Sequence, residues 1–286
     1  MSGTRRANAA DLETGHFDGA HVASSQGPAL LTFVALTFGW TWALWMAGDG
    51  LATRAPNFSK TLFLFAGFGP SLSGLVTVWI FDGSAGLGRW LHHCLNWRLG
   101  SFWYAAAFFG PPLAMIVALG VDAILGGALP SSPSAGHVGL AVAQFMLILA
   151  INGPLGEEFG WRGYALYPLT TWIGWRWAGL IIGAVWGLWH LPLFFIPGTA
   201  QAQMPMALFM ASTLALSVLM ARMAVNTAFS VLPALAFHWA LNSWSAFIPI
   251  TPSDGNFRPY VLVLAILFVA ASLVLLTPGP RQSQIG

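Results

Sequence analysis

The chain has 286 residues, of which 57% are hydrophobic and 7% charged, with a net charge of +2. Soluble domains carry about 25% charged residues, so this composition excludes a soluble globular protein, and the scarcity of charge excludes a basic nucleic-acid-binding stripe. The single cysteine, Cys94, excludes an internal disulfide and argues against a thiolate cluster or a catalytic thiol.

In chain order, residues 1–28 are polar and without periodicity, which predicts a disordered cytoplasmic tail. Arg5 and Arg6 stand far ahead of the first apolar run, so no secretory signal is expected. A bilayer span needs about 20 apolar residues. Runs of that order fall near 29–48, 61–81, 103–126, 138–160, 177–196, 206–225, 228–250 and 259–277. The expectation is an all-α polytopic membrane protein of about eight transmembrane helices, with one domain over 29–277 and a short tail over 278–286. No repeat or second domain is visible.

With a cytoplasmic N-terminus, the inside segments carry Arg5, Arg6, Arg89, Arg98, Arg162, Arg176, Arg222 and Arg281. The outside loops carry Arg54, Lys60 and Arg258. The positive-inside rule therefore favours both termini in the cytoplasm. Glu157 and Glu158 then fall toward the cytoplasmic end of the fourth run, with His190 and His238 deeper, about 15–20 Å into theirs at 1.5 Å per residue.

These residues carry the chemistry. Glu157 and Glu158 lie near the end of an apolar run in a chain with nine acids, and an ionisable group at bilayer depth marks a functional site. Neighbours on a helix point about 100° apart, whereas residues four apart share a face. Glu158 therefore pairs with Arg162, each easing the other's desolvation, while Glu157 turns to another wall. Gly153, Pro154, Gly156 and Gly160 let the helix bend and its neighbours approach. His238 and Asn242 share a face by the same spacing, and so do Trp186 and His190. An acid, two imidazoles and an amide inside a bundle supply a base for water and donors for an oxyanion.

Structural readings compete with this one. A lone His or Asn in a membrane helix is more often an interhelical hydrogen-bonding group, and a Glu–Arg pair alone can be a clamp; their convergence on three helices favours a site. Trp161, Trp189, Trp239 and Trp244 read as packing or interfacial aromatics, and Asp122 as a group reaching the headgroups. No His-Glu-x-x-His string occurs, Ser73-Gly74 is too common a dipeptide to mark a nucleophile, and Asp122 and Asp82 do not make an intramembrane aspartyl pair. A non-catalytic scaffold or immunity factor is the alternative. A proton or metal transporter is less favoured, since no inverted repeat is seen.

Glu157-Glu158-x-x-x-Arg162, Trp186-x-x-x-His190 and His238-x-x-x-Asn242, in that order, resemble the CPBP family of intramembrane proteases, over about residues 138–250. That family includes type II CAAX prenyl endopeptidases and proteins linked to bacteriocin processing and self-immunity. The resemblance implies an eight-helix glutamate-type endopeptidase in which Glu157 and His190 activate water and His238 and Asn242 hold the oxyanion. Glu158, Arg162 and Trp186 would support them; Trp186 stands where the family usually has phenylalanine. The substrate would be a membrane-associated peptide or protein, prenylated or bacteriocin-like. The composition looks bacterial, which implies the inner membrane. No cofactor is expected. Glu157, His190 and His238 are nonetheless zinc ligand types, while Asn242 binds zinc poorly and donates well, which favours a metal-free site.

Overall fold

A computed structural model describes residues 19–128, 138–151, 153–245, 247–250 and 256–278. All regular structure among them is helical: α1 (Gly19–Leu51), α2 (Pro56–Ala66), α3 (Gly69–Cys94), α4 (Ser101–Ile124), α5 (Val138–Ile151), α6 (Pro154–Glu158), α7 (Leu166–Trp189), α8 (Met206–Asn226), α9 (Leu232–Trp244) and α10 (Arg258–Leu276). A π-helical segment, Phe159–Ala165, joins α6 to α7, and a 3-10 turn, Leu191–Phe194, follows α7. Of the expected tail, residues 1–18 lie outside the described residues, and α1 already begins at Gly19. The expected tail at 278–286 lies outside them too, except for Pro278.

Among the described residues four helices are long and apolar enough to cross a bilayer, in α1, α4, α8 and α10, or five if the bent pair α2–α3 is one span. The chain is thus a multi-pass membrane protein, and among the described residues fewer helices are long enough to be continuous spans than the eight apolar runs. The difference lies in backbone breaks. The expected span at 138–160 stops at Gly153, whose φ of 98° no helix accommodates, and restarts at Pro154. The expected span at 177–196 belongs to a longer element that turns at Gly174 (φ 78°) and ends at His190. The one at 228–250 yields the 13-residue α9.

Packing explains why the α6 region sits so deep. Bonds from Trp40 Nε1 to the Phe65 carbonyl and from Thr41 Oγ1 to the Ala66 carbonyl, each 3.0 Å, hold α1 to the bend between α2 and α3. That bend receives α6 backbone to backbone: a Cβ on Gly156 would lie 2.4 Å from the Gly67 carbonyl oxygen, and one on Gly160 2.3 Å from that of Pro70. Small residues permit such approach in membrane bundles, where packing rather than hydrophobicity drives association. α7 packs along α8, α9 along α4, and α10 against both α4 and α8. Asp122 is buried (2% exposed) and pairs with Arg258 at the start of α10, so it ties α4 to α10 instead of reaching the headgroups.

The tryptophans read as packing groups do pack. Trp161 stands edge-on to Phe33 at 5.5 Å and to Trp189 at 6.3 Å. Trp239 Nε1 donates to the Phe145 carbonyl at 2.8 Å, and Trp244 packs on the Phe145 ring, joining α9 to α5.

Candidate active site

The site forms where α6, the π-helical segment, the end of α7 and α9 meet. Pro154 suits the first turn of α6 because its missing N–H would have been an orphan there, and the short helix delivers Glu157 and Glu158 in succession, pointing to different walls. Both are buried, as are Arg162, Trp186, His190 and His238.

Glu158 faces inward to two cationic-type partners. Arg162 Nη1 donates to both carboxylate oxygens at 2.9 Å, as the four-residue spacing leads one to expect. His238 Nδ1 also donates to Glu158 Oε1, at 2.7 Å, which the spacing did not reveal. With Glu158 at 0% and Arg162 at 1% exposure, each charge would cost several kcal/mol to desolvate alone, and only good mutual geometry offsets that. The guanidinium also lies over the Trp186 ring, 4.7 Å from its centroid, a cation–π contact that strengthens when desolvated.

Glu157 faces α7. Trp186 Nε1 donates to its Oε2 at 2.5 Å. Its other oxygen, Oε1, lies 2.8 Å from where a Cβ on Gly153 would sit, and the Cε1–Nε2 edge of His238 lies 3.3 Å from that same point. Glu157 Oε1 and His238 Nε2 therefore border the same small space beside Gly153.

His190 caps α7, where Pro192 ends the helix by withholding a donor. Its Nδ1 donates to the Trp186 carbonyl at 2.9 Å, so in the neutral ring Nε2 carries the lone pair. The imidazole stands among Trp189 (4.6 Å), Phe209 of α8 (4.9 Å) and Trp45 of α1 (6.4 Å). Asn242 is partly buried one turn beyond His238 on α9.

Trp186, which the spacing sets on one face with His190, is the common neighbour. Its indole holds Glu157, its carbonyl holds His190, and its ring stands edge-on to His238 at 5.4 Å and to His190 at 6.0 Å. An aromatic-for-aromatic exchange with phenylalanine is thus not neutral, since phenylalanine has no donor. Sequence reasoning also missed the role of Gly153 as a wall of the site; a glycine directly before proline at a helix start was the available signal. Phe209 carried none in so aromatic a chain. Among the described residues no three His, Cys, Asp or Glu side chains are grouped so as to hold a metal ion, and Glu157, His190 and His238 do not form such a set.

Residues 139–244 match the family model of the Rce1-like type II CAAX prenyl endopeptidases. That segment is similar to the Rce1-like CAAX prenyl endopeptidases. The Rce1-like segment contains every residue of the site, from Gly153 to Asn242. The chain also shows a likeness to CAAX prenyl protease 2 of Methanococcus maripaludis, 28% identical over 138 residues, which are 46% of this chain and 48% of that relative. The chain thus matches about half the length of this curated relative.

Proposed function

We propose that the protein is an intramembrane glutamate-type endopeptidase that hydrolyses a peptide bond in a membrane-associated substrate. The observation that carries this reading is the pairing of a buried carboxylate oxygen, Glu157 Oε1, with the Nε2 edge of His238, both close to the point where a Cβ on Gly153 would sit. A base and a potential donor then face one small space. Glu157, with His190 bonded to the same Trp186, takes a proton from water as its oxygen attacks the carbonyl carbon. His238, anchored by Glu158 through Nδ1, stabilises the oxyanion from its Nε2 edge together with Asn242. As the C–N bond breaks, the proton held by the base passes to the leaving amine, and one water is consumed.

The substrate class we propose is a prenylated peptide, on the strength of the family description and the relative's name. Access from the cytoplasm is supported by the charge distribution. Arg176 and Arg222 bind the carbonyls of Leu275, Thr277 and Pro278 at the end of α10, whereas Arg258 lies at its start. Gly163, less than two turns beyond Glu157, packs against Cys94, beside the loop that carries Arg98.

The test is to incubate the purified protein in lipid nanodiscs with matched S-farnesylated and unmodified peptides and to follow products by mass spectrometry. Two fragments whose masses add to the substrate plus one water, from the farnesylated peptide, are expected. Intact peptides under all conditions would favour the scaffold reading.

A further inference from the structure

The two oxygens of Glu157 are treated differently. Oε2 accepts the indole N–H of Trp186 at 2.5 Å, while Oε1 is turned to Gly153 and the His238 edge. The same tryptophan fixes the His190 ring through its carbonyl at 2.9 Å. We propose that Trp186 is a positioning residue that clamps Glu157 through Oε2, leaving Oε1 as the oxygen that exchanges the proton with water, and that it orients His190 in the same act. This rests on the reading of Glu157 as the base.

The surroundings reinforce the clamp. The Arg162 guanidinium over the indole face at 4.7 Å draws electron density from the ring, which makes its N–H a better donor in a low-dielectric site. Chargeable groups around Glu157 come from its own element and the π segment (Glu158, Arg162), from α9 (His238) and from the end of α7 (His190). α5 and the Gly69–Gly74 turn of α3, which also pack there, carry no titratable side chain. The direction of the N–H is therefore the feature that singles out one oxygen. A carboxylate free to rotate would present either oxygen to water and lose the fixed geometry on which proton transfer depends.

Trp186→Phe keeps the aromatic bulk and the stacking with Arg162 but removes the donor. In the full-length protein, the carboxylic C=O infrared band that vanishes in Glu157→Gln is titrated with pH in wild type and in Trp186→Phe, beside the pH profile of kcat. A hydrogen bond to a carboxylate favours its charged form, so the band midpoint and the acid limb of kcat are both expected about one pH unit higher in the variant, on the scale of one charge-assisted hydrogen bond. kcat is expected to fall about tenfold with KM within about twofold. If phenylalanine fails to fold, a benzothienylalanine analogue, which replaces the N–H by sulfur in the same bicycle, gives the same readout. An unchanged band midpoint overturns the clamp. A shifted midpoint in a protein whose Glu157→Gln variant still cleaves normally supports the clamp and rejects Glu157 as the base.

Discussion

Glu158 and His238 are joined by a 2.7 Å hydrogen bond that spans 80 residues of sequence. The bond ties α6 to α9 and sets the ring of His238 so that Nε2 faces Gly153 and Glu157. Because Arg162 shares the same carboxylate, the packing of this region and the proposed chemistry meet at one buried group.

Glu158→Gln and Arg162→Met are therefore expected to lower stability by roughly 3–5 kcal/mol, the cost of leaving a buried charge without its partner. Thermal melts in detergent measure this. Glu158→Gln should in addition reduce kcat, because His238 loses its anchor; wild-type melting in both variants would contradict the pairing.

That pairing also shows how far the sequence reaches. Glu158 with Arg162 was legible because both residues lie within one helical turn, where spacing alone determines the face. Glu158 with His238 was not, because nothing in the sequence fixes how α9 crosses α6. The same holds for the bond from Trp186 to Glu157: the pattern marks an aromatic four residues before His190, but only the approach of α7 to α6 aims its N–H. Not all of the eight apolar runs return as continuous helices among the described residues, for a different reason. Hydropathy registers composition, whereas the breaks at Gly153 and Gly174 are backbone conformations with positive φ, invisible to an apolar run.

Gly153 supplies a second prediction. Its φ of 98° strains any residue with a Cβ, and that Cβ would lie 2.8 Å from Glu157 Oε1. Gly153→Ala should cost about 1–3 kcal/mol from backbone strain and lower kcat by displacing the carboxylate, measured by melting and steady-state kinetics. A variant with normal kcat would place the reacting oxygen elsewhere.

At Gly160 the obstacle is backbone, which cannot swing aside as a side chain can: a Cβ would meet the Pro70 carbonyl oxygen at 2.3 Å. Gly160→Ala should separate the π-helical segment from the α2–α3 bend and destabilise the protein by about 1–3 kcal/mol, lowering its yield in membranes. Expression and melting at wild-type levels would show that this contact is looser.

For the oxyanion, His238→Ala or Asn242→Ala should lower kcat by about 10²–10³ while leaving KM nearly unchanged, the usual cost of one oxyanion donor. Since no metal-holding group of three His, Cys, Asp or Glu side chains forms among the described residues, chelator treatment should leave activity intact. Loss to a chelator with stoichiometric recovery on adding zinc would recast both histidines as ligands.

The most direct test of Glu157 as the base is Glu157→Gln in the nanodisc cleavage assay, with folding checked by its melting temperature. The amide keeps the shape and can still accept the Trp186 N–H, but it cannot take a proton from water. A folded protein with cleavage abolished is the expected result; a folded protein that turns over substrate at close to the wild-type rate would contradict it.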